Sequence, residues 1–199
     1  MRVLVQNLQK RDNLGTILYK KYNPNVMLVQ EINIHSETKQ FMAKNVSKMG
    51  FGTAITSEFQ ISEIKQLQSP HSEFGGLIYK RTTIATIMKK IQMVSFHGYN
   101  GQPFKNIKKL IAHIEAVLVK LCSGPVLFAG DFNTWTQDHL DEVTSKLENF
   151  GFHLAYSWPY PGREIPLDHV FVRGLRLVNA SNVVSRSDHI GALFDLELI

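Results

Sequence analysis

The sequence predicts an α/β protein of the α+β kind, with β-sheets covered by helices, in a single domain over residues 1–199. Three observations carry that expectation. Short β-rich runs recur along the chain, without regular βαβ alternation in its middle. A few amphipathic helices are interspersed among them. No GxGxxG or GxxxxGK[ST] motif supports a nucleotide-binding parallel sheet, and no repeat, low-complexity tract or Ser/Gly/Pro-rich linker divides the chain.

The elements follow in order. Arg2–Asn7 reads as a strand, and Asp12–Tyr22 as a helix with Leu14, Ile17 and Leu18 on one side. Asn25–Glu31 is a nearly continuous apolar run of buried-strand length. Ser36–Met49 is expected to be helical, because Phe41, Met42, Val46 and Met49 recur at helical spacing and Gly50 follows as a stop. Strands are expected at Phe51–Thr56, Gln60–Leu67, Gly75–Lys80, Ile84–Lys89 and Ile91–His97. Pro103–Leu121 is the clearest helix, with an apolar stripe from Phe104 to Leu121. Pro125–Gly130 reads as a buried strand, and Thr136–Phe150 as a helix stopped by Gly151. Leu167–Val172, Leu175–Val184 and Ile190–Leu198 return to strands.

Composition excludes several classes. Of 199 residues, 44% are hydrophobic and 20% charged, which is too apolar for a disordered chain. With 13 Gly, 7 Pro and 1 Cys, collagen-like and disulfide-framework proteins are also excluded. A domain of this size buries roughly 70% of its unfolded surface, so folding requires neither metal nor disulfide. No apolar run approaches the ~20 residues of a membrane span. The N-terminus lacks the apolar core of a signal peptide. A cytoplasmic protein is expected, with a secreted form left open. Cys122 is expected to be a buried, inert thiol. The net charge of +5 favours polyanions, nucleic acids and anionic lipid head groups among them.

The chemistry lies where apolar strands end in polar groups: Val5-Gln6-Asn7, Val29-Gln30-Glu31, Val94-Ser95-Phe96-His97, Phe128 to Asn133, Leu167-Asp168-His169 and Ser187-Asp188-His189. Strand ends gather at one edge of a sheet stack, so these groups are expected to share one cleft. Glu31, Asp131, Asp168 and Asp188 would then repel one another unless a cation intervenes. A hard divalent ion, Mg²⁺ or Mn²⁺, suits such oxygen donors, and Asn7 can add a neutral one. The absence of a compact His/Cys cluster argues against structural zinc. Asp131 and Asn133, two apart, would share a face of a continuing strand, one activating water and the other binding phosphate. His189 needs a separate carboxylate to orient it, and Asp168 is the candidate.

These motifs resemble those of the endonuclease/exonuclease/phosphatase superfamily. Gly130-Asp131-Phe132-Asn133 followed by Ser187-Asp188-His189 is quite specific, and the series runs in family order from residue 7 to 189. The stretch through Trp135 and the tail from Gly174 look most like a compact bacterial branch. The resemblance implies a four-layer, DNase I-like sandwich of two packed mixed sheets flanked by helices. It implies Asn7, Glu31 and Asp188 near the metal, and His97 and Asn133 on the phosphate. It makes Asp131 the group that positions water, and Asp168 the acid that orients His189. Gln9 stands where the AP endonuclease branch has Asp, and His97 where that branch has Tyr. His169 stands where an aromatic residue is usual.

The function expected is hydrolysis of phosphodiester bonds, with nucleic acid first as substrate. A phospholipid or inositol phosphate is the second reading, and a non-catalytic binding module on the same fold the third. Tyr99, Asn100, Trp135 and Arg163 are weaker candidates for substrate contact, since each could equally pack or turn. The Trp158–Arg163 stretch is read as a loop.

Overall fold

The computed structural model describes residues 1–35, 40–101 and 106–199. Among these, the chain forms twelve strands and three α-helices: β1 (Arg2–Asn7), α1 (Leu14–Tyr22), β2 (Val26–Asn33), β3 (Ala43–Val46), β4 (Phe51–Ser57), β5 (Ile61–Gln68), β6 (Arg81–Ile87), β7 (Ile91–His97), α2 (Ile107–Leu118), β8 (Val126–Asp131), α3 (Gln137–Glu148), β9 (His153–Trp158), β10 (Asp168–Arg173), β11 (Leu175–Val183) and β12 (Gly191–Leu198). They build two six-stranded mixed sheets, ordered β11-β12-β1-β2-β4-β3 and β5-β6-β7-β8-β10-β9. In each sheet one central pair is parallel, β1 with β2 and β7 with β8.

The central strands read as continuous apolar runs because both faces are covered. Side chains alternate across a strand, and the two faces enter different clusters. Val3, Val5, Val26 and Leu28 meet Met93, Leu127, Ala129 and Val170 between the sheets. Leu4, Met27 and Val29 turn outward to Leu14 and Leu18 of α1. Phe96, Phe128 and Phe171 turn the other way, onto Leu110, Ile114 and Val117 of α2 and Val143 and Leu147 of α3. The result is four layers: helix, sheet, sheet, helices. Each such buried side chain contributes about 1.5–3 kcal/mol relative to an exposed one.

Several expectations are corrected. The helix expected over 36–49 is instead a strand, β3, followed by a turn; residues 36–39 lie outside those described. From Phe41 to Val46 burial alternates with period two, and Met42 and Met49 are exposed. Gly50, at φ 80°, closes the turn from β3 to β4 rather than a helix. Gly75–Lys80 is not a strand: Phe74–Gly76 forms a short 3-10 turn, and Glu73 bridges to Ile78. β9 was not anticipated. It forms because Val170, Phe171 and their neighbours on β10 need a partner on the side away from β8. The helix expected from Pro103 is described from Ile107, with 102–105 outside the described residues. Cys122 is exposed, not buried, because it lies in the link between α2 and β8 and enters neither. No helix among the described residues is long and apolar enough to cross a membrane.

Candidate functional site

The parallel pairs β1–β2 and β7–β8 end at the same edge of the sandwich. Their last residues, and those that open β10 and precede β12, gather there. The ladders fix the register: His97 on β7 lies opposite Asp131 on β8, and Asp131 lies opposite Asp168 on β10. Asn7 at the end of β1 crosses between the sheets, its Nδ2 donating to Asp131 Oδ2 at 3.1 Å.

Local backbone shapes aim the remaining groups. The register of β2 against β4 shifts between Val29 and Ile32, a bulge in which Glu31 adopts φ 49°. Such a bulge re-aims a side chain at the edge of a sheet. Its carboxylate lies 3.7 Å from His97 Nε2. β8 stops at Asp131, so Asn133 does not share a strand face with it. Asn133 takes φ 56°, its N–H donates to Asp131 Oδ1 at 2.9 Å, and its Nδ2 donates to Gly98 O at 3.1 Å. Gly130, at φ 138°, has no room for a Cβ: Phe96 O and the Gln30 amide would be struck. That close approach requires glycine before Asp131.

The loop carrying His189 is tied to β1. Ser187 Oγ donates to Asn7 O at 2.7 Å, and Gln6 Nε2 donates to His189 O at 3.0 Å. His189 Nδ1 lies 2.7 Å from Asp168 Oδ2, and its Nε2 3.8 Å from Asp131 Oδ2. Tyr160 packs edge-on to the imidazole. Burial lowers the His189 pKa, but the charges of Asp168, Asp131 and Asp188 outweigh it and carry the group to about 10. Burial raises the Asp131 carboxyl, the His189 charge pulls it back, Asp168 adds to the rise, and it lies at about 6. Burial and then the Lys80 charge push His97 well below its ordinary range.

Glu31, His97, Asn100, Asp131, Asn133, Trp135, Arg163, Asp188 and His189 line one cleft of about 260 Å³. Asn7 and Asp168 stand behind it, buried, each touching a lining residue. Trp135 and Arg163 also border a neighbouring hollow of about 380 Å³. The Arg163 guanidinium stacks 4.2 Å over the indole, and Trp135 Nε1 donates to Asn100 Oδ1 at 2.9 Å. Tyr99 does not line the cleft. It is 5% exposed and belongs to the core between the sheet and α2, with Lys109 over its ring.

His169 has a structural account. It is buried between Thr134 Oγ1 and Ser157 Oγ, each 2.6 Å from a ring nitrogen, and burial drives its pKa to about 3. Tyr160, an aromatic of the loop read as able to select substrate, also lines the cleft. The sequence reading missed Lys80, which lines it too, and Glu73, which stands 3.9 Å from Lys80. Neither Lys80 nor Glu73 ends a core strand, so no strand-end pattern marked them.

The donors facing the cleft are hard oxygens: Glu31, Asp131 and Asp188. Among the described residues, no three His, Cys, Asp or Glu groups come together tightly enough to enclose an ion. This open oxygen set suits a cation of the Mg²⁺ type, which takes one or two carboxylates and keeps water. It does not suit a closed, tetrahedral zinc site.

Comparison with known proteins agrees with this architecture. Over 211 residues the chain is 29% identical to the UPF0294 protein of Vibrio campbellii, covering 95% of this chain and 74% of that one. It is 44% identical over 71 residues to UPF0294 protein VV2535 of Vibrio vulnificus, covering 33% of this chain and 25% of that one. Among solved structures, the endonuclease/exonuclease/phosphatase of Bacteroides vulgatus superposes with a TM-score of 0.76 at 14% identity, over 100% and 98% of the two chains. Danio rerio TDP2 complexed with a single-strand DNA product gives 0.68 at 15%, over 99% and 98%. The mannosyl-6-phosphatase of Bacteroides thetaiotaomicron gives 0.70 at 13%, over 100% of both chains. These likenesses share the two-sheet, DNase I-like sandwich. The model of the Endonuclease/Exonuclease/phosphatase family matches residues 4–189, from the first core strand to the last histidine of the cleft, and the chain belongs to that family.

Proposed function

We propose that the protein is a divalent-metal-dependent phosphoesterase that hydrolyses phosphodiester bonds, with nucleic acid as its substrate. One observation carries the reading: a buried Asp168–His189 pair, 2.7 Å apart, aims its free imidazole nitrogen at Asp131 in an oxygen-lined cleft. An oriented imidazolium beside a poised carboxylate is the equipment of acid–base chemistry at phosphorus.

Mg²⁺ or Mn²⁺ would be held by Glu31 and Asp188, with Asn7 behind them, and would supply Lewis acidity at the phosphate. The chain's own residues do the rest. Asp131, ionised above about pH 6, accepts the proton of a water aligned with phosphorus. His189, kept protonated by Asp168, donates to an equatorial oxygen as charge grows there. Asn133 is held by Gly98 O and Asp131, and stands ready beside the same phosphate. His97 faces Glu31 and Asp131 from the other core strand and completes the wall. Trp135 and Arg163 offer an aromatic and cationic platform at the rim. No covalent intermediate is needed.

Nucleic acid is supported by the net charge of +5 and by the DNA held by a protein of the same fold. A lipid or inositol phosphate head group is the second reading, and one observation favours it. Phe74 and Leu77, 61% and 80% exposed, project from the loop that carries Glu73 and Lys80. A binding module without catalysis is disfavoured, because Glu31, Asp131, Asp168, Asp188, His97 and His189 are all retained.

The deciding experiment incubates the protein with Mn²⁺ and, in turn, plasmid, single-stranded DNA, RNA, phospholipid vesicles and inositol phosphates. Cleavage of a nucleic acid, abolished by chelation and by His189→Ala, is the expected result. Head-group release from vesicles with intact plasmid and oligonucleotides selects the second reading.

A further inference from the structure

The loop between β5 and β6 brings two charged groups to the wall of the cleft. Glu73 is 6% exposed, and the Lys80 side chain is 13% exposed. Lys80 Nζ lies 2.6 Å from His97 Nε2 and 3.9 Å from Glu73 Oε2. An ammonium has donors and no acceptor, so the ring nitrogen must accept this hydrogen bond. That same Nε2 faces Glu31 and Asp131, at 3.7 and 3.6 Å. The cation on this side of the cleft is therefore Lys80, and His97 serves as its seat. Glu73 Oε1 in turn accepts from the backbone N–H groups of Asn100 at 2.5 Å and Gly101 at 3.2 Å. A buried carboxylate with these partners is an anchor: it ties the lysine to the turn that follows β7.

We propose that Lys80 binds the phosphoryl group, donating to a non-bridging oxygen through an N–H not used on His97, and that Glu73 is the positioning residue that holds it there. The proposal rests on the phosphoesterase reading. Its physical ground is the charge balance of the cleft. Glu31, Asp131 and Asp188 line it, with Asp168 behind, and a phosphate entering past them requires fixed positive charge on more than the His189 side. A lysine ammonium is a compact charge with three donors, suited to a phosphate oxygen and a ring nitrogen at once.

The test measures binding of inorganic phosphate to the metal-free protein by calorimetry, beside hydrolysis of bis-p-nitrophenyl phosphate with Mn²⁺. Lys80→Met is expected to weaken phosphate binding by about tenfold or more, as for a lost hydrogen bond from a charged group. Lys80→Arg is expected to restore most of it. Lys80→Gln is measured alongside, so that a folding defect in the apolar variant does not decide the result. Glu73→Gln keeps an acceptor for Asn100 and drops the charge beside Lys80; a loss of about two- to fivefold is expected. Lys80→Met with Glu73→Gln together should be no weaker than Lys80→Met alone, a coupling that a merely structural glutamate would not show. Wild-type phosphate affinity in folded Lys80→Met and Lys80→Gln, no phosphate binding by the wild type, or additive losses in the double variant would overturn the proposal. Hydrolysis lost in His189→Ala but phosphate affinity unchanged in Lys80→Met sinks the lysine's role alone. Phosphate bound through Lys80 by a protein that hydrolyses no phosphoester sinks the enzymatic reading alone.

Discussion

Asp131 and Asp168 lie directly opposite one another on the antiparallel ladder of β8 and β10, two buried carboxylates on one face of a sheet. Like charges so placed destabilise a sheet unless a cation answers them. His189 answers both, 2.7 Å from Asp168 and 3.8 Å from Asp131. The pairing that costs stability is thus what holds the imidazole charged and aimed.

Activity should follow a bell in pH. Asp131 must be ionised to accept a proton, and its pKa of about 6 sets the rising limb. His189 must be protonated to donate, and its pKa of about 10 sets the falling limb. The kcat/KM profile for bis-p-nitrophenyl phosphate checks both limbs. A flat profile across pH 6 would remove Asp131 from the role of base.

Stability should carry the His189 signature with a definite sign. Its folded pKa lies above the ordinary 6.5, so its contribution is fully present below pH 6.5 and fades as pH rises through about 10. The melting-temperature advantage of the wild type over His189→Gln, measured in EDTA, should shrink over that window. An advantage that grows with pH would contradict the ion pair.

His189→Ala should lower kcat by roughly 10²–10⁴-fold with the fold intact, the usual worth of a positioned acid–base group. Asp168→Asn should lower it through the same imidazole, so the double variant loses little more than His189→Ala alone. Steady-state kinetics of the two singles and the double would show it. Fully multiplicative losses would mean that the pair does not act as a unit.

Glu31→Gln should raise the Mn²⁺ concentration needed for activity. Outer partners of metal ligands alone are worth about 10–100-fold in affinity, so loss of a ligand should cost at least about 100-fold. A metal-activation curve measures this, and an unchanged curve would free Glu31 from the metal.

Gly130→Ala should destabilise the protein by at least about 1–3 kcal/mol, the scale of an enforced backbone outlier. The added Cβ would meet Phe96 O on the neighbouring strand, at φ 138°. The denaturant midpoint is the readout. Unchanged stability would mean that β7 and β8 can part without cost.

Much of this site was legible in one dimension. Asn7, Glu31, His97 and Asp131 each close an apolar run, and apolar runs covered on both faces must be central strands whose ends meet. Where a second surface sets the outcome, the sequence misled. The Phe41–Met49 stretch carries both periods, and pairing with β4 chose the strand. Trp158 looked like loop because the register of β10 recruits it, not its own neighbours. Tyr99, two residues past His97, looked like a cleft residue, yet the turn after β7 folds it under α2.

The buried central runs and the acidic and imidazole groups at their ends were determined by the sequence itself, because run length and the residues that close a run are local properties. Tertiary structure alone decided which charge answers which. That Lys80 rests on His97, that Glu73 anchors Lys80, and that Asp131 faces Asp168 follow from strand register and loop path. Both depend on contacts between residues distant along the chain, and no local pattern encodes them.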